Sequence, residues 1–210
     1  MGRHAVPPFA ARSRASMTEI RNLCVYCGAS RGNSPSFAAA AEALGEIMAE
    51  RGVGLVYGGG RVGMMGIIAD AVLRGGGKVT GIIPDHLRAA EHGHDEVTEL
   101  IVVASMHERK NLMSEMADAF VVLPGGLGTL DETFEIITWK QLRLHDKPIL
   151  VIDVDDYWQP FEQLINAVVA NGFAHQDCAR LFTVVPDIDA IFPTLEAMPA
   201  PRFGTDAGRM

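Results

Sequence analysis

Cysteine is scarce: three residues in a 210-residue chain cannot make a disulfide framework. Two of them, in Cys24-Val-Tyr-Cys27, spell C-x-x-C, but they lie in a strand-like segment. Residues three apart on a strand face opposite sides, so one zinc ion cannot take both, and they read as core residues. Long apolar runs are missing too. None approaches the ~20 uncharged residues that a membrane-spanning helix needs. The N-terminal stretch MGRHAVPPFAARSRASM is Arg-rich but has no apolar signal core. Positive charge is short as well: 18 Lys and Arg against 26 Asp and Glu leave a net charge of −8. Binding to a phosphate backbone needs the opposite balance, so nucleic acid is excluded as a partner, whereas one small phosphorylated ligand on a local basic cluster is not. The expectation is a cytoplasmic protein without membrane or nucleic-acid partners.

What is present is ordinary for a globular protein, 48% hydrophobic and 21% charged. Residues 1–18 and 196–210 read as flexible tails around one domain at 19–195. Within it, short apolar runs alternate with longer amphipathic ones. Strands are predicted over 23–27, 53–57, 78–83, 99–104, 119–123 and 147–154, with the pattern finishing in 181–195. Helices are predicted from Ser34-Pro35 to a stop at Gly52, over 64–74 and 106–117, from near Leu130 to about Leu144, and over 157–172. Residues 84–97 lack a period and read as a loop with one helical turn. Continuously apolar strands alternating with helices specify an α/β fold. This is a Rossmann-like, doubly wound parallel sheet with helices on both faces in a single domain. Ligands of such sheets sit at the carboxyl ends of the strands, here after Cys27, Tyr57, Ile83, Ala104 and Leu123.

Three segments fall there. Gly58-Gly-Gly-Arg-Val-Gly63 contains G-x-G-x-x-G, but after the second strand rather than the first, so a dinucleotide site is disfavoured. Its glycines, Gly59 and Gly60 among them, are read as admitting a ligand closely. Pro124-Gly-Gly-Leu-Gly-Thr129 is the stronger anion cradle: glycines let successive N–H groups converge, and a helix N-terminus follows. Thr129 and Glu132 also spell a capping box, so on this segment alone Glu132 is either a cap or a catalyst. Met106-His-Glu-Arg-Lys110 opens a helix with two cations facing the same crevice, Arg109 offering a planar fork suited to phosphate or carboxylate. His92-Gly-His94 has no third ligand spaced to help, so no metal site is expected, and His107 reads as orienting or structural.

Together YGGGRVGMMG, SMHERKNLM and LPGGLGTLDETFEIITWKQL resemble the Lonely Guy family of cytokinin-activating nucleoside 5′-monophosphate phosphoribohydrolases. The resemblance runs from about Leu23 to Val185. It implies hydrolysis of the N-glycosidic bond of an N6-modified AMP, releasing the base and ribose 5-phosphate, with no cofactor and no metal. By resemblance, Arg109 and Glu132 match the catalytic pair, and Gly125, Gly126, Gly128 and Thr129 the phosphate loop. Lys110, Glu91 and Thr138 fall on nucleotide-contact positions, and Gly59, Gly60, Met106 and Asp131 join the substrate-binding set. Asp131 stands where the family more often has Glu. The family is typically dimeric, so a homodimer is expected. The alternative of the same fold is a non-catalytic nucleotide or molybdenum-cofactor carrier, which needs the glycine loops but not Arg109 with Glu132.

Overall fold

The apolar runs become seven parallel strands of one sheet in the computed structural model, which describes residues 19–88 and 92–199. The strands are β1 (Asn22–Tyr26), β2 (Gly54–Tyr57), β3 (Val79–Pro84), β4 (Glu99–Val103), β5 (Ala119–Val122), β6 (Ile149–Ile152) and β7 (Thr183–Val185). Between them run α1 (Pro35–Glu50), α2 (Gly63–Arg74), the single turn α3 (Asp85–Arg88), α4 (Met106–Met116), α5 (Leu127–Gln141) and α6 (Gln159–Ala170), with α7 (Ile191–Ala197) closing the chain. Among the described residues no helix is long and apolar enough to cross a membrane.

Strand order is β4-β3-β2-β1-β5-β6-β7. Every neighbouring pair is parallel, with Cys24 of β1 level with Val56 of β2 and Phe120 of β5. The side-chain period of two divides the core into two layers. Leu23, Val25 and Cys27 pack under α1, α2 and α7 with Leu44, Ile68 and Ile191. Cys24 and Tyr26 pack on the other face with Met113 of α4, Ile136 of α5 and Phe161 of α6. Cys24 and Cys27 therefore do face opposite sides. Both thiols are pushed up by burial, as suits inert core residues.

One expected boundary moves. The helix read from near Leu130 begins a turn earlier, at Leu127, with Gly126 in the extended N-cap position and no capping side chain. Thr129 is thus inside the helix, and the capping box is not formed. In the segment read as a loop, residues 85–88 make the one turn of α3.

Candidate active site

The winding direction of the sheet changes between β1 and β5, because β1 is followed outward by β2 on one side while β5 starts the other half. The loops leaving these two strands part to opposite faces, and a cleft opens between them. Its volume is about 460 Å³, and its walls include Gly28, Ser30, Phe37, Gly125, Gly126 and Tyr157. Gly28 knots three elements together. Its N–H donates to the Pro124 carbonyl (3.1 Å), and its own carbonyl accepts from Met64 at the start of α2 (3.0 Å). A Cβ there would come within 2.9 Å of the Ser30 carbonyl oxygen, so the close approach of backbones requires glycine.

The loop from Pro124 delivers the N-terminus of α5 to this cleft. The first intrahelical bond runs from the Leu130 N–H to the Gly126 carbonyl (3.0 Å), leaving the amides of residues 127–129 ahead of it. At Gly126 and Gly128 an added Cβ would meet nothing within 4 Å, so the backbone face is open. At Gly125 it would strike the Thr129 hydroxyl at 2.1 Å, and this contact folds the loop tightly onto the first turn. Open amides at a helix N-terminus are a place for an anion.

Along α5 the buried positions are Thr129, Glu132, Thr133, Ile136 and Ile137, a stripe at i, i+3, i+4, i+7 and i+8. Glu132 is on that inward stripe and 9% exposed. Its charge reaches β1, where it adds to burial in raising Cys24, Tyr26 and Cys27. A carboxylate in a core stripe costs several kcal/mol unless compensated, on the order of the penalty for any buried ion. Capping does not account for it, since Glu132 lies beyond the first turn.

A buried cation stands on α4. Arg109 is 4% exposed, and its Nη2 donates to the Gly58 carbonyl (2.9 Å) while Nη1 meets the Met106 sulfur (3.7 Å). A Cβ on Gly58 would sit 2.0 Å from Nη2, so the first glycine of the G-x-G-x-x-G run makes room for this guanidinium. Burial above all raises the Cys24 thiol, with Glu132 adding to the rise and Lys147 and then Arg109 opposing it. Lys110 points elsewhere. Its Nζ pairs with Asp131 (3.1 Å) and Glu135 (3.0 Å) on the outer flank of α5. Burial alone would lower this ammonium, but the two carboxylates outweigh it and hold its pKa above the ordinary value. The negative charge after the glycine loop is therefore divided: Asp131 and Glu135 share the Lys110 ammonium, which offsets one of their two charges, and Glu132 lies on the buried stripe of the helix.

The remaining expected residues scatter. Thr138 is exposed on the flank of Asp131 and Glu135, and Met106 begins α4. Of the expected residues Gly125 and Gly126 line the cleft itself, whereas Arg109, Glu132, Lys110, Gly128, Thr129, Gly59 and Gly60 are not among its walls, and Gly59 and Gly60 pair with the chain itself. The Gly59 carbonyl accepts from the His94 N–H (2.9 Å), and Gly60 bridges to Gly93. His94 is fully buried, its Nε2 2.9 Å from the Asp70 carboxylate. Glu91 lies outside the described residues. No group of three or more His, Cys, Asp or Glu among the described residues is arranged to hold a metal ion. Sequence reasoning missed Gly28, Ser30, Phe37 and Tyr157. The first three follow a strand's carboxyl end and were within reach of that rule. Tyr157 had no signal.

A family profile described as "Possible lysine decarboxylase" matches residues 65–195. The cytokinin riboside 5′-monophosphate phosphoribohydrolase LOG of Oryza sativa subsp. japonica is 43% identical over 179 residues, which is 85% of this chain and 74% of that protein. The cytokinin riboside 5′-monophosphate phosphoribohydrolase LOG7 of Arabidopsis thaliana is 41% identical over 179 residues, 85% of this chain and 82% of that one. Among solved structures, the molybdenum cofactor carrier protein of Chlamydomonas reinhardtii superposes with a TM-score of 0.65 at 20% identity, covering 86% of this chain and 100% of that chain. At that identity the likeness is one of fold.

Proposed function

This chain belongs to the Lonely Guy family of cytokinin riboside 5′-monophosphate phosphoribohydrolases, and we infer from that premise that it hydrolyses the N-glycosidic bond of an N6-modified AMP. The water oxygen ends on C1′ of ribose 5-phosphate, and the purine leaves with the bonding electrons and a proton. The observation that carries the reading is Glu132: a carboxylate on the buried stripe of the helix whose N-terminus is the anion loop.

A nucleoside monophosphate has two ends of opposite electrostatic need. Its phosphate dianion suits the open amides of the loop, with Gly125, Gly126, Gly128 and Thr129 as the cradle. Cleavage at C1′ develops positive charge on the sugar, which suits a fixed carboxylate one turn deeper. In our assignment Glu132 faces that developing cation. Arg109 keeps Glu132 ionised and oriented, since a nearby guanidinium favours the charged form. Lys110, held by Asp131 and Glu135, ties α4 to α5 and so holds the helix of Arg109 against the helix of Glu132.

The decarboxylase wording of the family profile finds no support in the lysines. A pyridoxal Schiff base needs an available amine. Lys110 is doubly paired, Lys140 donates to the Lys147 carbonyl, and Lys147 donates to the Ser114 carbonyl. Lys78 precedes β3, at the opposite end of the sheet from the cleft. For the assembly we propose a homodimer, with Leu127, 85% exposed beside the anion loop, as apolar surface for a second copy to cover.

Incubating the protein with AMP and with isopentenyl-AMP should release free base and ribose 5-phosphate. Adenosine should be a poor substrate, because phosphate binding energy positions the sugar. Equal hydrolysis of adenosine and AMP would overturn the assignment of the loop.

A further inference from the structure

Tyr157 reaches the cleft from the far half of the sheet, on the connection between β6 and α6, and its hydroxyl donates to the Gly125 carbonyl (2.5 Å). A peptide unit is planar and trans, so its carbonyl and its N–H point in opposite directions. Holding the Gly125 carbonyl on one side therefore aims the Gly126 N–H to the other. Gly126 has no side chain and an added Cβ would meet nothing within 4 Å, so beside the packing of Gly125 on Thr129 and the Leu130 bond to the Gly126 carbonyl, the Tyr157 hydroxyl is the side-chain hydrogen bond that holds this peptide. A glycine pair is otherwise free to turn its shared peptide plane at little cost.

The arm that carries Tyr157 is itself held in place. Asp155 and Asp156 both have left-handed backbones, at φ 54° and 59°. That conformation costs roughly 1 kcal/mol for each non-glycine residue and persists where surrounding structure enforces it. The enforcement is visible. The Asp155 carboxylate accepts hydrogen bonds from Ser34 (3.0 Å) and Ser36 at the start of α1, and its pKa is lowered, by Ser36 first and then by Ser34. The Tyr157 ring packs edge-on against Phe37 of α1 at 5.4 Å and against Trp158 at 5.0 Å. Two strained residues, two serines and two aromatic contacts thus converge on placing one hydroxyl over one carbonyl.

We propose that Tyr157 is a positioning residue for the phosphate: by pinning the Gly125–Gly126 peptide it presets the loop amide that receives the anion. The inference rests on the reading of residues 125–129 as the phosphate cradle. Tyr157→Phe keeps the ring between Phe37 and Trp158 and removes only the hydrogen bond. Direct calorimetric titration with ribose 5-phosphate, and separately with adenine, reads the effect without depending on turnover. Affinity for ribose 5-phosphate should fall about tenfold, the scale of one lost hydrogen bond, with adenine affinity unchanged. Asp155→Ala, which frees the arm and leaves Tyr157 intact, should weaken ribose 5-phosphate in the same direction by less. Unchanged ribose 5-phosphate affinity in Tyr157→Phe, or an equal loss for adenine, would overturn the proposal. Absence of base release from AMP by the wild-type protein would instead sink the hydrolase reading, while the titrations would still judge Tyr157.

Discussion

Gly58 shows how a residue can be fixed by its neighbour's chemistry. Its missing side chain is the space that the Arg109 guanidinium occupies, and its carbonyl is the acceptor that holds it. Gly58→Ala would place a methyl group 2.0 Å from Nη2 and 3.2 Å from the Met65 sulfur, so the tip of the flexible Arg109 side chain must move off its Gly58 contact. Displacing a positioned group by about 1 Å can cost on the order of 10²-fold in rate. We expect AMP turnover in Gly58→Ala to fall by about that factor, with the protein still folded by circular dichroism. Turnover within twofold of wild type would show that the Gly58 contact does not position Arg109 for catalysis. The two cations of M-H-E-R-K were legible in the sequence as neighbours on one helix that opens at a strand's carboxyl end. Their division of labour was not, because it depends on which glycine and which carboxylates the folded helices bring opposite each one.

At the scale of elements, α5 shows what the pattern could and could not say. Leu130, Phe134 and Ile137 gave a helical period, and three glycines plus a capping-box spelling moved the apparent start to Leu130. The buried stripe follows a different set, headed by Thr129, Glu132 and Thr133. Polar residues on an inward face defeat a hydrophobic period, and such a face is where a site lies. The turn from α5 to β6 carries a second buried polar group. His145 accepts the Lys147 N–H at Nδ1 (3.2 Å) and donates from Nε2 to the Ile136 carbonyl (2.9 Å). The ring is therefore neutral, and burial above all pushes its pKa down to about 4 from an ordinary 6.5. Below 6.5 the unfolded chain takes up a proton that the folded chain refuses, so stability declines as pH falls from there toward about 4. The contribution is full above that window and should lose about 2–3 kcal/mol across it. In His145→Gln this component is missing, so the gap in melting temperature between wild type and variant should narrow as the pH drops. Melting curves that stay parallel would contradict the assignment.

At the scale of the whole molecule, the alternation of apolar and amphipathic runs specified a parallel, doubly wound sheet, and seven parallel strands were found. Strand order was beyond the sequence, because any parallel crossover of similar length leaves the same local pattern. That order decides the site. It sets β1 beside β5, so the loop after Cys27 and the loop after Leu123 face each other across the cleft, and Tyr157 can reach over from β6. It also explains how a chain of net charge −8 can receive a dianion. Open amides, Arg109 and Lys110 gather at the carboxyl end of the sheet, and Lys110 offsets one of the two charges on the acidic flank of α5.

The central claim is that one buried carboxylate stands against the anomeric carbon while the loop amides hold the phosphate. Single-turnover release of base from AMP by Glu132→Gln, with AMP affinity titrated on the same sample, tests it most directly. The account predicts affinity within about threefold of wild type and a rate lower by roughly 10²–10⁴-fold. Base release at the wild-type rate with affinity intact would contradict it.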